Sequence, residues 1–439
     1  MATQYGISGT TAREISASVE QGVAGGHLGP GAALPPVRRL ADGLGVSPGT
    51  VATAYRELRQ RGIVITRGRG GTVVAQTPAV GSRRPPKVPP GVRDLAGGFP
   101  DPALLPVLTP PRRVDPVQGS HRGSPRLPAL EELSREWFAR DGVPHDHVTF
   151  AHGALDCMAR LLSVELKPGD TVAVEDPGFH HLLDLVPALG LRTAPVTVDD
   201  EGIRPEALRA ALRAGARALV CSPRGQSPLG GCFSAGRRAA LLEVLAGYPG
   251  VLVVEDDHNA DVSGAAPFLL ASGGLARWAH VRTVSKHLGI DLRWAAVACD
   301  PTTLARHDGR MLLTSGWVSH VLQETVAPAL SGRAARTLVA QAGRTYTERR
   351  EALIARLGEL GVAAHGASGL NVWVPVRDES AVVNGMRSRG WWIAAGARFR
   401  IATPPAVRIT TATLAGAATA RLASDFADVL GESEATYGG

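Results

Sequence analysis

Lysine is scarce in this sequence. Only Lys87, Lys167 and Lys286 occur among 439 residues, and the rest of the basic charge is arginine. A guanidinium cannot form an imine, so any covalent amine chemistry must use one of these three side chains. Lys87 falls in a proline-rich stretch and Lys167 precedes a Pro-Gly-Asp turn, so both are expected to be exposed. Cysteine is nearly as rare. Cys157, Cys221, Cys232 and Cys299 show neither paired metal-ligand spacing nor the density of a disulfide framework. They read as free buried thiols in a reducing compartment, and no metal site is expected. Aromatic residues make up 5% of the chain, so its cores must be built chiefly from Leu, Val and Ala. No apolar run approaches the roughly 18 residues of a membrane span, and no basic segment followed by an apolar run opens the chain. A soluble, cytoplasmic protein without a membrane partner is expected.

The excess charge sits at one end. The net charge is +7, and residues 1–92 hold eleven Lys or Arg against four Asp or Glu, which is the whole of it. The other residues carry thirty-six of each sign. A basic end on a neutral body suggests a polyanion-binding module. Residues 11–25 place Ile15, Val19 and Val23 at helical spacing, with Gly25–Gly26 as the stop. GHLGPGAALP reads as a turn-rich connection. From Pro36, which suits a first helical turn, Val37, Leu40, Ala41 and Leu44 form one apolar face. Gly45–Val46 makes a corner, and Ser47 is an N-cap for a third helix with Val51, Tyr55 and Leu58 inside. Ser47, Pro48, Gly49, Thr50 and Thr53 fall at its N-terminal end or outer face. Two short helices joined by a sharp turn, the second opening in small polar residues, suit the major groove of DNA. Small residues admit the duplex, and free N–H groups at the helix start meet phosphates or base edges. Residues 63–75 then read as a hairpin wing with Arg67 and Arg69 at its tip, suited to minor-groove or phosphate contact.

The run GAALPPVRRLADGLGVSPGTVATAYRELRQRGIVITRGRGGTVVA resembles the GntR-type winged helix-turn-helix throughout. The resemblance implies that Arg38 contacts DNA from the start of the second helix. Pro48 stands where the family often has arginine.

Residues 77–92 read as an exposed, semi-rigid linker of Pro, Gly and Arg between a domain at 1–76 and a body at 93–439. In the body, short apolar stretches alternate with helical ones. TVAVED, RALVCSP, VLVVEDD, AHVRTVSK and DLRWAAVAC are read as strands, AHVRTVSK running to Lys286. This alternation implies a mostly parallel sheet covered on both faces over about 120–330, with a smaller α+β subdomain over about 335–439. Ligands of such sheets sit beyond the carboxyl ends of the strands, where Asp256 and Lys286 fall.

That placement makes Lys286 the candidate imine lysine. Asp256, ending an apolar strand, suits a pyridinium nitrogen, which a carboxylate keeps protonated. Arg293 suits a phosphate, and so do the free N–H groups at Gly153 and Ala154, ahead of a helix. Phe179 suits a ring face. The segments GFPD, AHGALD, LKPGDTVAVEDPGF, SPRGQSPLGG, VVEDDH and TVSKHLGIDLRWAAV, in this order, resemble fold-type-I aminotransferases. The match is best to MocR-type regulators, which carry such a domain behind a GntR-type reader.

The resemblance implies pyridoxal 5'-phosphate on Lys286, with Asp256 at the pyridine and Ser285 and Arg293 in the phosphate region. Arg408, in PAVRITTA, matches the arginine that binds a substrate α-carboxylate. His258 stands where a tyrosine usually meets the cofactor's 3'-oxygen. His121, Gly225 and Glu131 replace a tyrosine, a histidine and an arginine. The implied protein is a homodimeric DNA-binding transcriptional regulator with little turnover, whose effector is an amino compound held as an external aldimine. Two alternatives stand beside it: a working aminotransferase with an attached reader, and a regulator that has lost the cofactor.

Overall fold

The structure, a computed structural model, describes residues 5–24, 27–29, 31–60, 63–66, 71–74, 87–111 and 123–437. The chain forms two compact units, one of residues 1–86 together with 184–192, the other of residues 87–183 and 193–439.

The first unit opens with α1 (Ala12–Ala24). Its start is a reciprocal cap: Glu14 accepts from the Thr10 amide at 2.8 Å, while the Glu14 amide donates to Thr11 Oγ1 at 3.2 Å. Ile15 and Val19 are its buried stripe. α2 (Val37–Leu44) follows Pro36, which stands one residue ahead of the helix rather than in its first turn. α3 (Pro48–Gln60) buries Val51, Ala54, Tyr55 and Leu58, and Tyr55 OH donates to the Pro35 carbonyl at 2.8 Å. β1 (Val64–Thr66) and β2 (Thr72–Val74) pair antiparallel. The expected turn-rich connection is partly a third strand: Ala33 bridges Val73, and Gly31 and Leu34 donate to Val74 and Thr72. The backbone of β2 is thereby satisfied on both sides.

From Lys87 onward the elements are β3 (Arg93–Asp94), α4 (Pro128–Arg140), β4 (Val148–Ala151), α5 (Ala154–Glu165), β5 (Thr171–Asp176) and α6 (His180–Ala188), the end of α6 counting with the first unit. Next come β6 (Arg192–Asp199), β7 (Gly202–Ile203), α7 (Pro205–Arg213), β8 (Ala216–Cys221), α8 (Ala235–Ala246) and β9 (Leu252–Asp256). β10 (Trp278–Thr283), β11 (Ala295–Cys299), α9 (Pro301–Leu312) and α10 (His320–Ser331) complete the larger part. Its sheet has the order β4-β11-β10-β9-β8-β5-β6-β7. β5, β8, β9 and β10 are parallel, and β11 runs against both neighbours. Every residue of β9, β10 and β11 is buried, as a sheet covered on both faces requires. Trp137, Phe138, Phe150 and Trp294 gather much of the small aromatic content in one core. β10 ends at Thr283, three residues short of the expected Lys286, which lies in the turn beyond it.

α11 (Arg333–Glu359) leads into the smaller part: β12 (Asn371–Pro375), α12 (Glu379–Ser388), β13 (Trp391–Trp392), β14 (Ala394–Ala395), β15 (Ala406–Thr410) and α13 (Ala417–Tyr437). β12, β15 and β14 form an antiparallel sheet. β3 pairs with β13, and Leu95 packs into the core of this subdomain with Val372, Ile409 and Phe426. The start of the body therefore belongs with its end. The four cysteines are free, with Cys157, Cys221 and Cys299 buried. Among the described residues no helix is long and apolar enough to cross a membrane, and no cluster of metal-ligating side chains occurs.

Candidate functional site

β9 delivers Asp256 and the turn after β10 delivers Lys286 to one cavity of about 330 Å³. Asp256 is the last residue of β9, a strand buried along its whole length, so its carboxylate reaches the wall with little water around it. One oxygen, Oδ2, lies 3.3 Å from His258 Nδ1. The other, Oδ1, is buried with no hydrogen-bond partner. Such an oxygen marks a place for a donor, because leaving it unmet costs about 1–3 kcal/mol or more.

Lys286 Nζ donates to the Gly98 carbonyl at 2.6 Å. Burial pulls its pKa down to about 8, helped by the charge of Arg408 and opposed by Asp256. More of the neutral, nucleophilic amine is therefore present near neutral pH than in an ordinary lysine.

Arg408 enters from β15 and is almost fully buried. Its guanidinium stands 4.4 Å over the Phe399 ring, Nη1 lies 3.4 Å from Ser227 Oγ, and Nη2 donates to the Ala96 carbonyl. Nε has no partner, and among the described residues no carboxylate pairs with the guanidinium. Burial, with Arg398 nearby, lowers its pKa to about 9. This cation is placed for an anion that the protein itself does not supply.

Gly153 caps α5 with φ +86, and a Cβ there would approach Arg293 Nη2 to 3.0 Å. Only glycine allows the guanidinium to lie this close to the start of the helix. Arg293 is exposed, forms no ion pair among the described residues, and lines the cavity with Ala154 and Ser285. Ser285 is held by Thr283, through an amide bond of 2.9 Å and a hydroxyl contact of 2.7 Å. Phe179 lines another wall, edge-on to His180 and His181 at 5.4 Å each. The cavity thus brings together Gly153's neighbour Ala154, Phe179, Asp256, His258, Ser285, Lys286, Arg293 and Arg408.

Several of its residues were not anticipated. His180, His181, Ser227, Asn259 and Asn371 also line it. Burial and the neighbouring His181 push the His180 pKa far down, so this ring is neutral, with Nδ1 buried and unpartnered. The available signal was the histidine pair directly after Phe179. Gly225 has a local reason. It adopts φ +60, and a Cβ would fall 2.6 Å from the Asn259 side chain, whose amide donates to the Gly225 carbonyl at 2.7 Å. Asn259 fills the space a side chain would need. Glu131 pairs with Arg126 and Arg135 at 3.3 and 2.9 Å, away from the cavity lining. His121 lies outside the described residues.

The site rests on a buried polar layer. Asp257 accepts from Arg224 at 2.9 and 2.7 Å, and His280 bridges Asp257 and Glu255 at 3.4 and 3.1 Å. Burial lowers the His280 pKa, but the hydrogen bonds to these two carboxylates outweigh it and raise it to about 9.

On the first unit, Arg38 is exposed in the first turn of α2; around the start of α3, Ser47 and Gly49 are exposed and Thr50 and Thr53 half-buried. Ser47 Oγ accepts the Thr50 amide at 3.1 Å and contacts Thr50 Oγ1 at 2.9 Å, so both hydroxyls serve the helix cap. Arg67 and Arg69 lie outside the described residues.

A family model described as "Bacterial regulatory proteins, gntR family" matches residues 11–74. The vitamin B6 salvage pathway transcriptional repressor PtsJ of Salmonella typhimurium is 37% identical over 430 residues, covering 97% of this chain and 99% of that protein. The chain belongs to the MocR-type regulators of the GntR family. Further relatives of this MocR-type chain are the pyridoxine biosynthesis transcriptional regulator PdxR of Corynebacterium glutamicum, 28% identical over 79% of both chains, and the probable rhizopine catabolism regulatory protein MocR of Rhizobium meliloti, 27% identical over 78% of this chain and 76% of that one. Among solved structures, Pyrococcus horikoshii kynurenine aminotransferase matches with a TM-score of 0.69 at 21% identity, over 78% of this chain and 91% of that one. Thermus thermophilus alpha-aminoadipate aminotransferase matches at 0.68 and 21%, over 79% and 94%. These likenesses establish the fold-type-I aminotransferase-like architecture of the second unit. This MocR-type protein is a transcriptional regulator with a GntR-type DNA-binding helix-turn-helix and an aminotransferase-fold effector domain.

Proposed function

We propose that the regulator's operator binding is set by pyridoxal 5'-phosphate held on Lys286. The observation that carries this reading is the cavity itself. A lysine with a pKa near 8, a buried carboxylate oxygen without a donor, and a glycine–arginine cradle at a helix start share one lining. Those are the groups that an aldehyde, a protonated pyridine nitrogen and a phosphate need. Asp256 Oδ1 would accept from the ring nitrogen, and His258 would steady that carboxylate through Oδ2. Arg293, Ser285 and the amides at Gly153 and Ala154 would hold the phosphate, with Phe179 against the ring face. When bound, the cofactor supplies an aldehyde that captures primary amines reversibly and a ring that withdraws electrons.

The relatives' names, vitamin B6 salvage repressor and pyridoxine biosynthesis regulator, favour the cofactor as the sensed ligand. Arg408 supports a second ligand as well. A buried guanidinium without a carboxylate favours an amino compound bearing one, with His180 and His181 beside it. A ligand that touches both Lys286 and Arg408 bridges the larger and smaller parts of the unit, and so favours one arrangement of them over another. Arg38, Ser47, Gly49, Thr50 and Thr53 would meet DNA, with Arg67 and Arg69 at the wing tip, in a cytoplasmic homodimer. Operator binding measured with and without pyridoxal phosphate tests the reading. An affinity that responds to the cofactor in the native protein but not in Lys286→Ala is the expected result.

A further inference from the structure

A second cleft, of about 510 Å³, lies at the other edge of the main sheet. It sits at the amino ends of the parallel strands β5, β8, β9 and β10, whereas the Lys286 cavity sits beyond carboxyl ends. Its lining holds four cations, Lys167, Arg217, Arg277 and Arg306, against one carboxylate, Glu165. Residues 93–439 as a whole are neutral, so this is a local concentration and not general basicity. Of the chain's three lysines, one lines each of these two cavities.

Two of the cations are held ready by that one acid. Glu165 is 8% exposed at the end of α5; it accepts from Arg277 Nη2 at 2.6 Å and also pairs with Arg306. Each guanidinium keeps further N–H groups, since five are available and a carboxylate takes one or two. Arg277 Nε is buried and makes no hydrogen bond. The nearest acid, Asp300, is 3.6 Å away and is occupied by the Trp278, Thr302 and Thr303 amides. Arg217 stands 3.7 Å from Asp170, beyond hydrogen-bond range, and is largely exposed, as is Lys167. Even with Asp170 and Asp300 counted, cations outnumber acids. Leu252 and Gly250 give the cleft an apolar, close-lying floor.

We propose that this cleft binds a phosphorylated small molecule, with Arg277 and Arg306 as the fixed half of the phosphate site and Lys167 and Arg217 closing over it. Guanidinium forks match phosphate oxygens in geometry as well as charge. The volume falls within the several hundred Å³ usual for metabolite sites and is concave, which favours a small ligand over a polymer. The site shares no residue with the Lys286 cavity and does not depend on what that cavity holds.

Phenyl phosphate is the probe. It is titrated calorimetrically, at low ionic strength, into full-length Arg293→Ala protein, which removes the phosphate contact of the other cavity. Saturable binding with a Kd at or below about 1 mM is expected. Adding Lys167→Ala and Arg217→Ala, both at exposed side chains, weakens it at least about tenfold. Unchanged binding in the triple variant overturns the assignment. So does the absence of saturable binding to the Arg293→Ala protein up to several times about 1 mM.

Discussion

The amine of Lys286 and the carbonyl of Gly98 lie 2.6 Å apart, across 188 residues of sequence. The Gly98 amide donates in turn to Thr410 Oγ1 at 3.0 Å, two residues beyond Arg408 on β15. The segment around Gly98 is therefore gripped from both parts of the second unit, and covalent use of the amine releases one of the two grips.

Replacing Lys286 by Ala removes the one lysine in the cavity. Native protein is expected to show a visible cofactor absorption band and a borohydride-reducible adduct on this residue, and the variant neither. DNA contacts of the first unit persist. A reducible adduct surviving in Lys286→Ala would show that another amine carries the cofactor.

Capture of the cofactor follows the neutral amine. A pKa lowered to about 8 raises the neutral fraction at any pH below the ordinary lysine value. The capture rate should therefore climb with pH and level off above a midpoint near 8, not near the usual value above about 10. Arg408→Ala removes a neighbouring cation and moves the midpoint up; Asp256→Asn removes the opposing anion and moves it down. Absorbance-monitored mixing over a pH series measures all three.

Gly153→Ala puts a Cβ 3.0 Å from the Arg293 guanidinium at a left-handed φ of +86. The conformation alone costs about 1–2 kcal/mol, and Arg293 must also move. Cofactor affinity is expected to fall about tenfold or more, with a modest loss in Tm. Equal affinity for the cofactor in both proteins would remove the cradle from the site.

Arg38→Ala should weaken operator binding and reduce the slope of log K against log salt by about 0.9, one phosphate contact. A fragment of residues 77–439 should not bind. Titrations at several salt concentrations give both numbers.

A two-fold regulator requires repeated or inverted half-sites. Sedimentation of the cofactor-loaded protein should give a dimer at micromolar concentration, and footprinting should give paired protections.

The sequence revealed most where a residue's environment follows from its neighbours. An apolar run, VLVV, gives way to acids just before Asp256, so its place at a strand end was legible, and Lys286 was singled out by rarity. The helix-turn-helix was legible because its apolar positions recur at helical spacing. Long-range pairings were not. Nothing local in Gly31–Leu34 reveals that it flanks β2, and nothing in Arg93–Asp94 reveals a partner almost 300 residues away. AHVRTVSK reads as one strand, yet Ser285 and Lys286 leave it, because Thr283 Oγ1 captures the Ser285 amide and starts the turn. Gly225 reads as a lost contact, whereas its neighbour Asn259 shows why the backbone there needs glycine.

The two-residue pairing of β3 with β13 has a mechanical consequence. The linker from the first unit enters the second at Lys87, and six residues later the chain is stitched into the subdomain that carries Arg408. Leu95, next in the chain, accepts from the Thr410 amide, two residues beyond Arg408. A displacement of Arg408 and its strand would therefore carry this entry segment with it.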